Sequence, residues 1–157
     1  YPWYRFDRPR RKRVFDAAEK IVVPYRAPSN RFAYDDEQCF NDGGDIRAIV
    51  ITDGAFACKY VLGLLNSSLL DWFYGFIGKP KGNAREYFNK PLALIPIKRA
   101  SSSEQKPICN LVDTILVAKK DNPNADITTF TREIDDRVYG LYNLTPDEIA
   151  IVEGRGT

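Results

Sequence analysis

The chain has 157 residues, of which 44% are hydrophobic and 28% charged, a composition that fits one globular domain, or a domain with a helical appendage. It contains no histidine, and its three cysteines show no CxxC motif and no paired spacing. These features exclude imidazole-based catalysis, a disulfide framework and a zinc cluster.

Positive charge is concentrated in two separate stretches, although the net charge is only +2. Residues 1–31 carry nine Lys and Arg against three Asp and Glu, and residues 78–99 carry six against one. Residues 32–77 and 101–157 have net charges of −5 and −4. Alternating blocks of this kind favour basic faces that meet a polyanion, with solvated charge of no function as the simpler alternative.

The first third of the chain predicts a basic arm followed by strands. Residues 1–14 combine aromatic residues with cations. Residues 20–25 are rich in β-branched residues, and Pro24 is typical of an edge strand or a strand end. Residues 31–34 and 46–52 are further strand candidates because turn residues lie beside each of them.

The middle of the chain predicts buried helical structure followed by a cationic loop. Apolar residues within 56–77 recur at helical spacing, and residues 66–68 mark a kink or a break between two helices. Charged and amide side chains inside this run argue against a membrane span. Residues 77–88 form a loop with flexible glycines and three cations, and residues 92–97 predict another strand or extended segment.

The last third of the chain predicts helices. Ser101 and Glu104 form a capping-box pattern, and an apolar series at helical spacing follows them. A second series of apolar residues, three or four apart, covers residues 127–141. Residues 145–148 cap a third, short helix, with Gly154 just past its end.

Motifs for catalysis and metal binding are weak in this chain. It has no Walker loop, no GxGxxG motif and no Asn-Pro-Pro-Tyr motif of the kind that holds a flipped adenine. Residues 104–106 are similar to the end of a nuclease metal motif, but a helix cap explains them better. Residues 35–37 and 135–136 offer carboxylates for a divalent cation, yet neighbouring carboxylates on a helix point apart. We therefore predict no catalytic and no metal-binding residue.

Five segments, in order along the chain, carry a family resemblance. They are Lys20–Arg26, Asn30–Asp35, Leu62–Ser67, Ile77–Phe88 and Pro91–Ile97. These segments resemble the TaqI-like C-terminal specificity domain of adenine-specific DNA methyltransferases and of fused type II restriction–modification enzymes. Residues 133–142 and 145–153 resemble the helical tail that usually follows this domain.

The resemblance implies an α+β fold, in which a curved antiparallel β-sheet target-recognition domain with packed helices precedes a C-terminal helical tail. The expected division is a basic linker from an upstream domain at residues 1–14, a DNA target-recognition domain at 15–100 and a helical tail or spacer at 101–157. The chain starts at Tyr1 and contains no methionine, so we expect it to be a piece of a longer polypeptide.

The resemblance also implies what the chain does and does not do. The parent polypeptide is expected to be a site-specific DNA adenine methyltransferase, with or without a fused endonuclease. Its methyltransferase domain would hold S-adenosylmethionine and the catalytic motif, so this chain by itself is expected to bind no cofactor and to be no enzyme. Its expected partners are double-stranded DNA and that methyltransferase domain, in the cytoplasm and without a membrane.

The expected function is sequence-specific recognition of duplex DNA that positions the target for the catalytic domain. Phosphates favour Lys and Arg, while Asn and Arg also read base edges. The predicted DNA-binding residues are Arg10, Arg11, Lys12, Arg13, Arg26, Asn30, Arg31, Lys79, Lys81, Asn83, Arg85 and Tyr87. This prediction requires the two basic stretches to converge on one face of the molecule.

Two alternatives stay open at the level of the sequence. The loop at 77–88 is also compatible with a flexible hairpin that has no function. The tail is compatible with a helical protein–protein interaction or spacer module that packs on a methyltransferase domain or a second subunit. Self-association through the tail helices belongs to the same alternative.

Overall fold

Two small antiparallel sheets lie against helices in the computed structural model of the chain, which describes residue 14, residues 16–37 and residues 45–155. The predicted α+β class, the antiparallel strands and the C-terminal helical structure are confirmed. The sheet expected as one curved unit is divided into two three-stranded sheets. The chain crosses from one sheet to the other at a single residue, Tyr25, between two of its strands.

The first sheet, here called the N-terminal sheet, has the strand order β3-β1-β4. Its strands are β1 (Lys20–Pro24), β3 (Ala33–Asp35) and β4 (Ile46–Ile49). The strand predicted at 31–34 begins later because the side chain of Asn66 bonds to both backbone groups of Phe32, each at 2.9 Å. These bonds take the place of a neighbouring strand at that residue.

The second sheet, here called the hairpin sheet, has the strand order β2-β6-β5. Its strands are β2 (Arg26–Ala27), β5 (Lys79–Lys81) and β6 (Ala84–Glu86). The loop predicted at 77–88 is therefore a β-hairpin, in which residues 82–83 connect β5 to β6. Gly82 has φ +59°, the conformation that the first central residue of a tight hairpin turn requires.

The helices of the described residues agree with the sequence signals except at one place. They are α1 (Cys58–Leu65), α2 (Ser68–Ile77), α3 (Asn89–Leu92), α4 (Ser102–Asp121), α5 (Thr128–Tyr142) and α6 (Pro146–Val152). The predicted break is confirmed between α1 and α2, where the Ser67 side chain accepts a hydrogen bond from the Leu70 N–H. The capping box predicted for α4 is present, and the cap predicted for α6 is also a capping box.

Of the strand or extended segment predicted at residues 92–97, the strand is wrong. The N–H groups of Leu92 and Ala93 donate to the carbonyls of Phe88 and Asn89, each at 3.0 Å, so the backbone turns into α3. The residues that follow α3 turn again and then continue without a strand partner to the start of α4. Local turn bonds therefore replaced the sheet ladder that the apolar pattern had indicated.

Helix α1 lies at the centre of the hydrophobic core, with every residue except Lys59 buried. A Cβ atom at Gly63 would lie 2.6 Å from Ile108 Cγ2 and 3.3 Å from Val112 Cγ2, so the glycine allows α4 to pack closely on α1. Ile21 in β1 and Ile134 in α5 belong to the same core. The domain boundaries stay predictions, but the core on either side of residue 100 is continuous.

A carboxylate of the tail also holds the start of α2. Asp135 in α5 accepts hydrogen bonds from the backbone N–H and the hydroxyl of Ser68, each at 2.7 Å. The N-terminus of a helix favours negative charge, so this contact caps α2 from another helix. None of the helices in the described residues combines the length and the apolar character of a membrane span.

Candidate nucleic-acid interface

Tyr25 lies at the junction of the two sheets and is held there by its backbone. Its N–H donates to the Asp45 carbonyl at 2.5 Å, and its carbonyl accepts from the Tyr87 N–H at 2.9 Å. Its ring makes an edge contact with the ring of Phe88, with centroids 5.3 Å apart. Two aromatic rings are thus fixed at the point where the chain leaves one sheet for the other.

Three cations surround these two rings. The guanidinium groups of Arg26 and Arg47 lie 5.3 and 5.2 Å from the centre of the Tyr25 ring, and Lys79 Nζ lies 5.7 Å from that of Phe88. These distances are typical of cation–π interactions. We call Tyr25, Arg26, Arg47, Lys79 and Phe88 the basic aromatic cluster.

A buried carboxylate organises the cations of the cluster. The side chain of Glu86 is only 3% exposed, and its Oε1 accepts from Arg26 Nε at 2.9 Å and contacts Arg26 Nη2 at 2.7 Å. Lys79 Nζ lies 3.6 Å from the other carboxylate oxygen. Burial acts to raise the pKa of Glu86, but Arg26 and Lys79 outweigh it and hold this pKa below its usual value. The carboxylate is therefore ionised at neutral pH and leaves the cluster with a surplus of positive charge.

Three cations of the hairpin sheet face solvent. The side chains of Arg26 and Lys79 are 50% and 66% exposed, and Lys81 and Asn83 are exposed at the end of the hairpin. Lys79 and Lys81 are two residues apart on one strand, so they share a face of the sheet. This face, which also carries Arg26 opposite Glu86, is called the outer face of the hairpin sheet.

The pairing of the strands brings together parts of the two basic stretches of the sequence. Arg26 in β2 lies opposite Glu86 in β6, and Glu86 lies opposite Lys79 in β5. Ala27 lies opposite Arg85. Arg26 of the first basic stretch and Lys79 of the second therefore share one face of the hairpin sheet, whereas Arg85 falls in the alternate register row and lies on the opposite face.

Arg85 points to the other face of the hairpin sheet and packs on α2. Its guanidinium forms an ion pair with the Asp71 carboxylate and donates to the Asp71 carbonyl at 2.8 Å. Its side chain is 13% exposed. Contact of Arg85 with DNA stays a prediction, but these contacts favour a structural role that holds the hairpin on α2.

Asn30 and Tyr87 also lie on this inner side. Asn30 Nδ2 donates to the Leu65 carbonyl at 2.7 Å, and its Oδ1 accepts from the Tyr87 hydroxyl at 3.0 Å. Tyr87 is fully buried and stacks on Tyr74, with ring centroids 4.6 Å apart. Both side chains join the hairpin sheet to the core, and their DNA contacts stay predictions that this packing does not favour.

The remaining predicted residues lie elsewhere. Arg31 is exposed and lies at the rim of an apolar groove that borders the helical tail. Arg10, Arg11, Lys12 and Arg13 lie outside the described residues. Of the predicted set, the structure therefore brings Arg26, Lys79, Lys81 and Asn83 together as an exposed group.

Four residues of this site were not predicted from the sequence: Tyr25, Arg47, Glu86 and Phe88. Arg47 lies in an acidic stretch, and only the register of β1 with β4, which places it opposite Val23, brings it next to Tyr25. Glu86 is the only acidic residue in the basic stretch 78–99. This isolated negative charge was the one feature of the local sequence that indicated a carboxylate paired with several cations.

The comparison with known families agrees with this geometry. A sequence model of the family described as the TaqI-like C-terminal specificity domain matches residues 3–97. The chain belongs to this family. Domains of this family are specificity domains, not catalytic ones, with a DNA-recognition role in restriction–modification enzymes. The match includes both sheets and ends before α4, and a search of curated proteins finds no match to the chain.

Proposed function

We propose that the chain is the sequence-specific, duplex-DNA recognition domain of a restriction–modification DNA adenine methyltransferase, and that the outer face of the hairpin sheet docks on the double helix. One observation carries this proposal. Cations from distant parts of the sequence converge around two aromatic rings and one buried carboxylate. Membership of a family of specificity domains supports the same function.

The hairpin has the shape and the residues that a reader of the major groove needs. A two-stranded β-ribbon fits a groove about 12 Å wide. Lys79 and Lys81 lie along one strand, where they can neutralise phosphates, and the turn exposes Asn83, whose amide can pair with the edge of an adenine. Gly82 has no side chain to keep the backbone of the turn away from the DNA.

Glu86 gives Arg26 a defined orientation before DNA arrives. Its carboxylate engages Nε and Nη2 of the guanidinium, which leaves Nη1 for a phosphate or a base edge. The hydrogen bond to Glu86 raises the pKa of Arg26, so its charge is permanent. Because one side chain is already ordered, less conformational entropy is lost when the complex forms.

The chemistry of methyl transfer belongs, in this proposal, to another domain of the parent polypeptide. That domain would bind S-adenosylmethionine, and the recognition domain would contribute orientation of the target base alone. The inner contacts of Arg85 and Asn30 suit this task because they fix the hairpin sheet on α2 and, through Tyr87, on the end of α1.

The first test measures binding of a fluorescently labelled duplex by anisotropy at about 50 to 200 mM salt, with the variant Arg47→Ala/Lys79→Ala/Lys81→Ala. This variant keeps Arg26 as the partner of Glu86, so the fold should persist. We expect weaker binding and a salt dependence whose slope falls by about 1 for each side chain that no longer neutralises a phosphate. Lys106→Ala, at an exposed position of α4, is the control and should bind as the wild type does. Equal affinity of the triple variant would contradict the proposal.

A second test concerns the parent enzyme. The triple variant placed in the full polypeptide should lose adenine methylation of its duplex through a higher KM for DNA. Methylation of another base, with DNA binding intact, would contradict the assignment of the parent as an adenine methyltransferase. It would not contradict the proposed DNA-docking face.

A further inference from the structure

A groove of about 660 Å³ lies on the side of the core where the N-terminal sheet meets the helical tail. Its walls come from the segment 30–34, from α1 and from the helices α4 and α5. The apolar residues Ile115, Leu116 and Ile127 line it and are only half-buried. We call this site the apolar groove. None of the residues of the basic aromatic cluster lines it, so its function is separable from DNA docking.

The charged residues that line the apolar groove are both cations, Arg31 and Lys119, and no Asp or Glu belongs to its lining among the described residues. Arg31 is exposed on one wall. Lys119 Nζ is fixed on another wall by the carbonyls of Pro123 and Ala125, at 3.0 and 2.8 Å. Asp126 follows on the chain; its carboxylate accepts hydrogen bonds from Thr128, which lower its pKa, and the nearby charge of Lys119 lowers this pKa further, so Asp126 offsets part of the charge of Lys119. The groove is therefore apolar at its base, and the charged side chains that line it are cations, of which Arg31 is the exposed one.

The size of the groove suits several side chains of one segment. Its volume falls within the range of about 300 to 1,000 Å³ that is typical of binding sites. An amphipathic helix fills such a space with anchors at positions i, i+3 or i+4, and i+7. The two cations belong to different walls, so they match two separate carboxylates on a helix better than the single head group of a small amphiphile.

We propose that the apolar groove binds an amphipathic helix of a partner protein, whose apolar face enters the groove and whose flanking Asp or Glu residues pair with Arg31 and Lys119. The half-buried Ile115, Leu116 and Ile127 become fully buried in the complex. Apolar burial supplies the affinity, and the two cations set the orientation of the helix.

The test uses the full chain and a labelled synthetic helical peptide with leucines at the anchor positions and glutamates beside them. We expect one peptide bound per chain, with NMR shift changes at Leu116 and Thr131 and none at Lys79. The variant Arg31→Glu should weaken binding at least about tenfold because it places like charges together. Arg132→Glu makes the same change at an exposed position outside the groove and should bind as the wild type does.

A second pair of variants tests the apolar base. Leu116→Asn should weaken peptide binding about tenfold, whereas Val117→Asn, at the neighbouring and 61% exposed position, should leave it unchanged. Both should keep the wild-type affinity for duplex DNA, which separates this site from the DNA-docking face. Circular dichroism of each variant establishes that the fold is kept.

Three outcomes would overturn the proposal. One is equal binding of a peptide in which lysines replace the glutamates. Another is binding of the anionic dye anilinonaphthalene sulfonate in the groove without binding of the peptide, which would indicate a small amphiphile. The third is a wild-type dimer that Leu116→Asn converts to a monomer in analytical ultracentrifugation, since a second copy would then be the occupant.

Discussion

The two faces of the hairpin sheet carry the same residue types and use them in opposite ways. On the outer face, an exposed arginine, Arg26, pairs with a buried carboxylate, Glu86. On the inner face, a mostly buried arginine, Arg85, pairs with the more exposed carboxylate of Asp71. Both arginines come from basic stretches of the sequence, yet only the first is available to a ligand.

This difference shows that strand register, not residue type, decides which cation is exposed and able to bind a ligand. Side chains alternate between the faces of a strand, so Arg85 and Glu86 cannot point the same way. Glu86 faces outward and gathers Arg26 and Lys79, whereas Arg85 faces α2 and its polar groups. A shift of one residue in the pairing of β6 would exchange these roles.

The largest expected effect separates the inner face of the hairpin sheet from its outer face by two measurements. Arg85→Ala should lower the free energy of unfolding by about 2 kcal/mol because it leaves Asp71 without its mostly buried partner. Lys81→Ala, at an exposed position of the outer face, should change stability by less than about 0.5 kcal/mol and weaken DNA binding instead. Urea denaturation and anisotropy on the same samples compare the two. Loss of DNA affinity without loss of stability in Arg85→Ala would show that Arg85 contacts DNA.

The next effect concerns the packing of α1 against α4 in the hydrophobic core. Gly63→Ala should cost about 1 to 2 kcal/mol because its methyl group would collide with Ile108 in α4. Gly140→Ala is the matched control, since a Cβ atom there meets nothing within 4 Å and alanine favours a helix. Thermal unfolding of both variants measures the difference. Equal stability of the two would mean that α4 does not pack against α1 as described.

The smallest expected effect is on the pH dependence of the free energy of unfolding, to which Glu86 and Asp135 should contribute with opposite signs. The pKa of Glu86 is lowered in the fold, so its contribution is present above its ordinary value of 4.5 and is lost as the pH falls through the folded value. Burial, the largest cause, raises the pKa of Asp135, although the hydrogen bonds from Ser68 oppose this shift. The Asp135 contribution is therefore present below its ordinary value of 3.8 and is lost as the pH rises through the folded value.

The measurement is urea unfolding between about pH 3 and 7, the acid range in which carboxylates titrate, for the wild type, Glu86→Gln and Asp135→Asn. The stability advantage of the wild type over Glu86→Gln should grow with rising pH, and that over Asp135→Asn should shrink. Trends of the same sign for both variants would show that one of the two carboxylates lies in a different environment from the one described.

Elements that depend on neighbours in the chain were predictable. The capping boxes that begin α4 and α6 join residues three apart, and the break after α1 uses the Ser67 side chain and a backbone group three residues away. Such signals need only local geometry, so the sequence carries them directly. The strand predicted at 92–97 failed because a local turn and a strand can share one apolar pattern.

Only part of the candidate site was predictable from the sequence, because some of its residues meet through contacts between distant segments. Lys79, Lys81 and Asn83 stand out locally because they flank a glycine turn in a basic stretch. Arg47 and Tyr25 are in contact only because two strands pair in one register. Arg85 is mostly buried only because it forms an ion pair with Asp71 of α2.

The amino-acid sequence alone determined the basic stretches, because they follow from composition, and the family, because ordered motifs carry the resemblance. The α+β class was what that resemblance implied. The tertiary structure alone decided which cations remain in solvent and where an apolar groove stays open. Those properties depend on burial and on the pairing of residues far apart in the chain, as Arg26 and Glu86 are, and no local pattern encodes them.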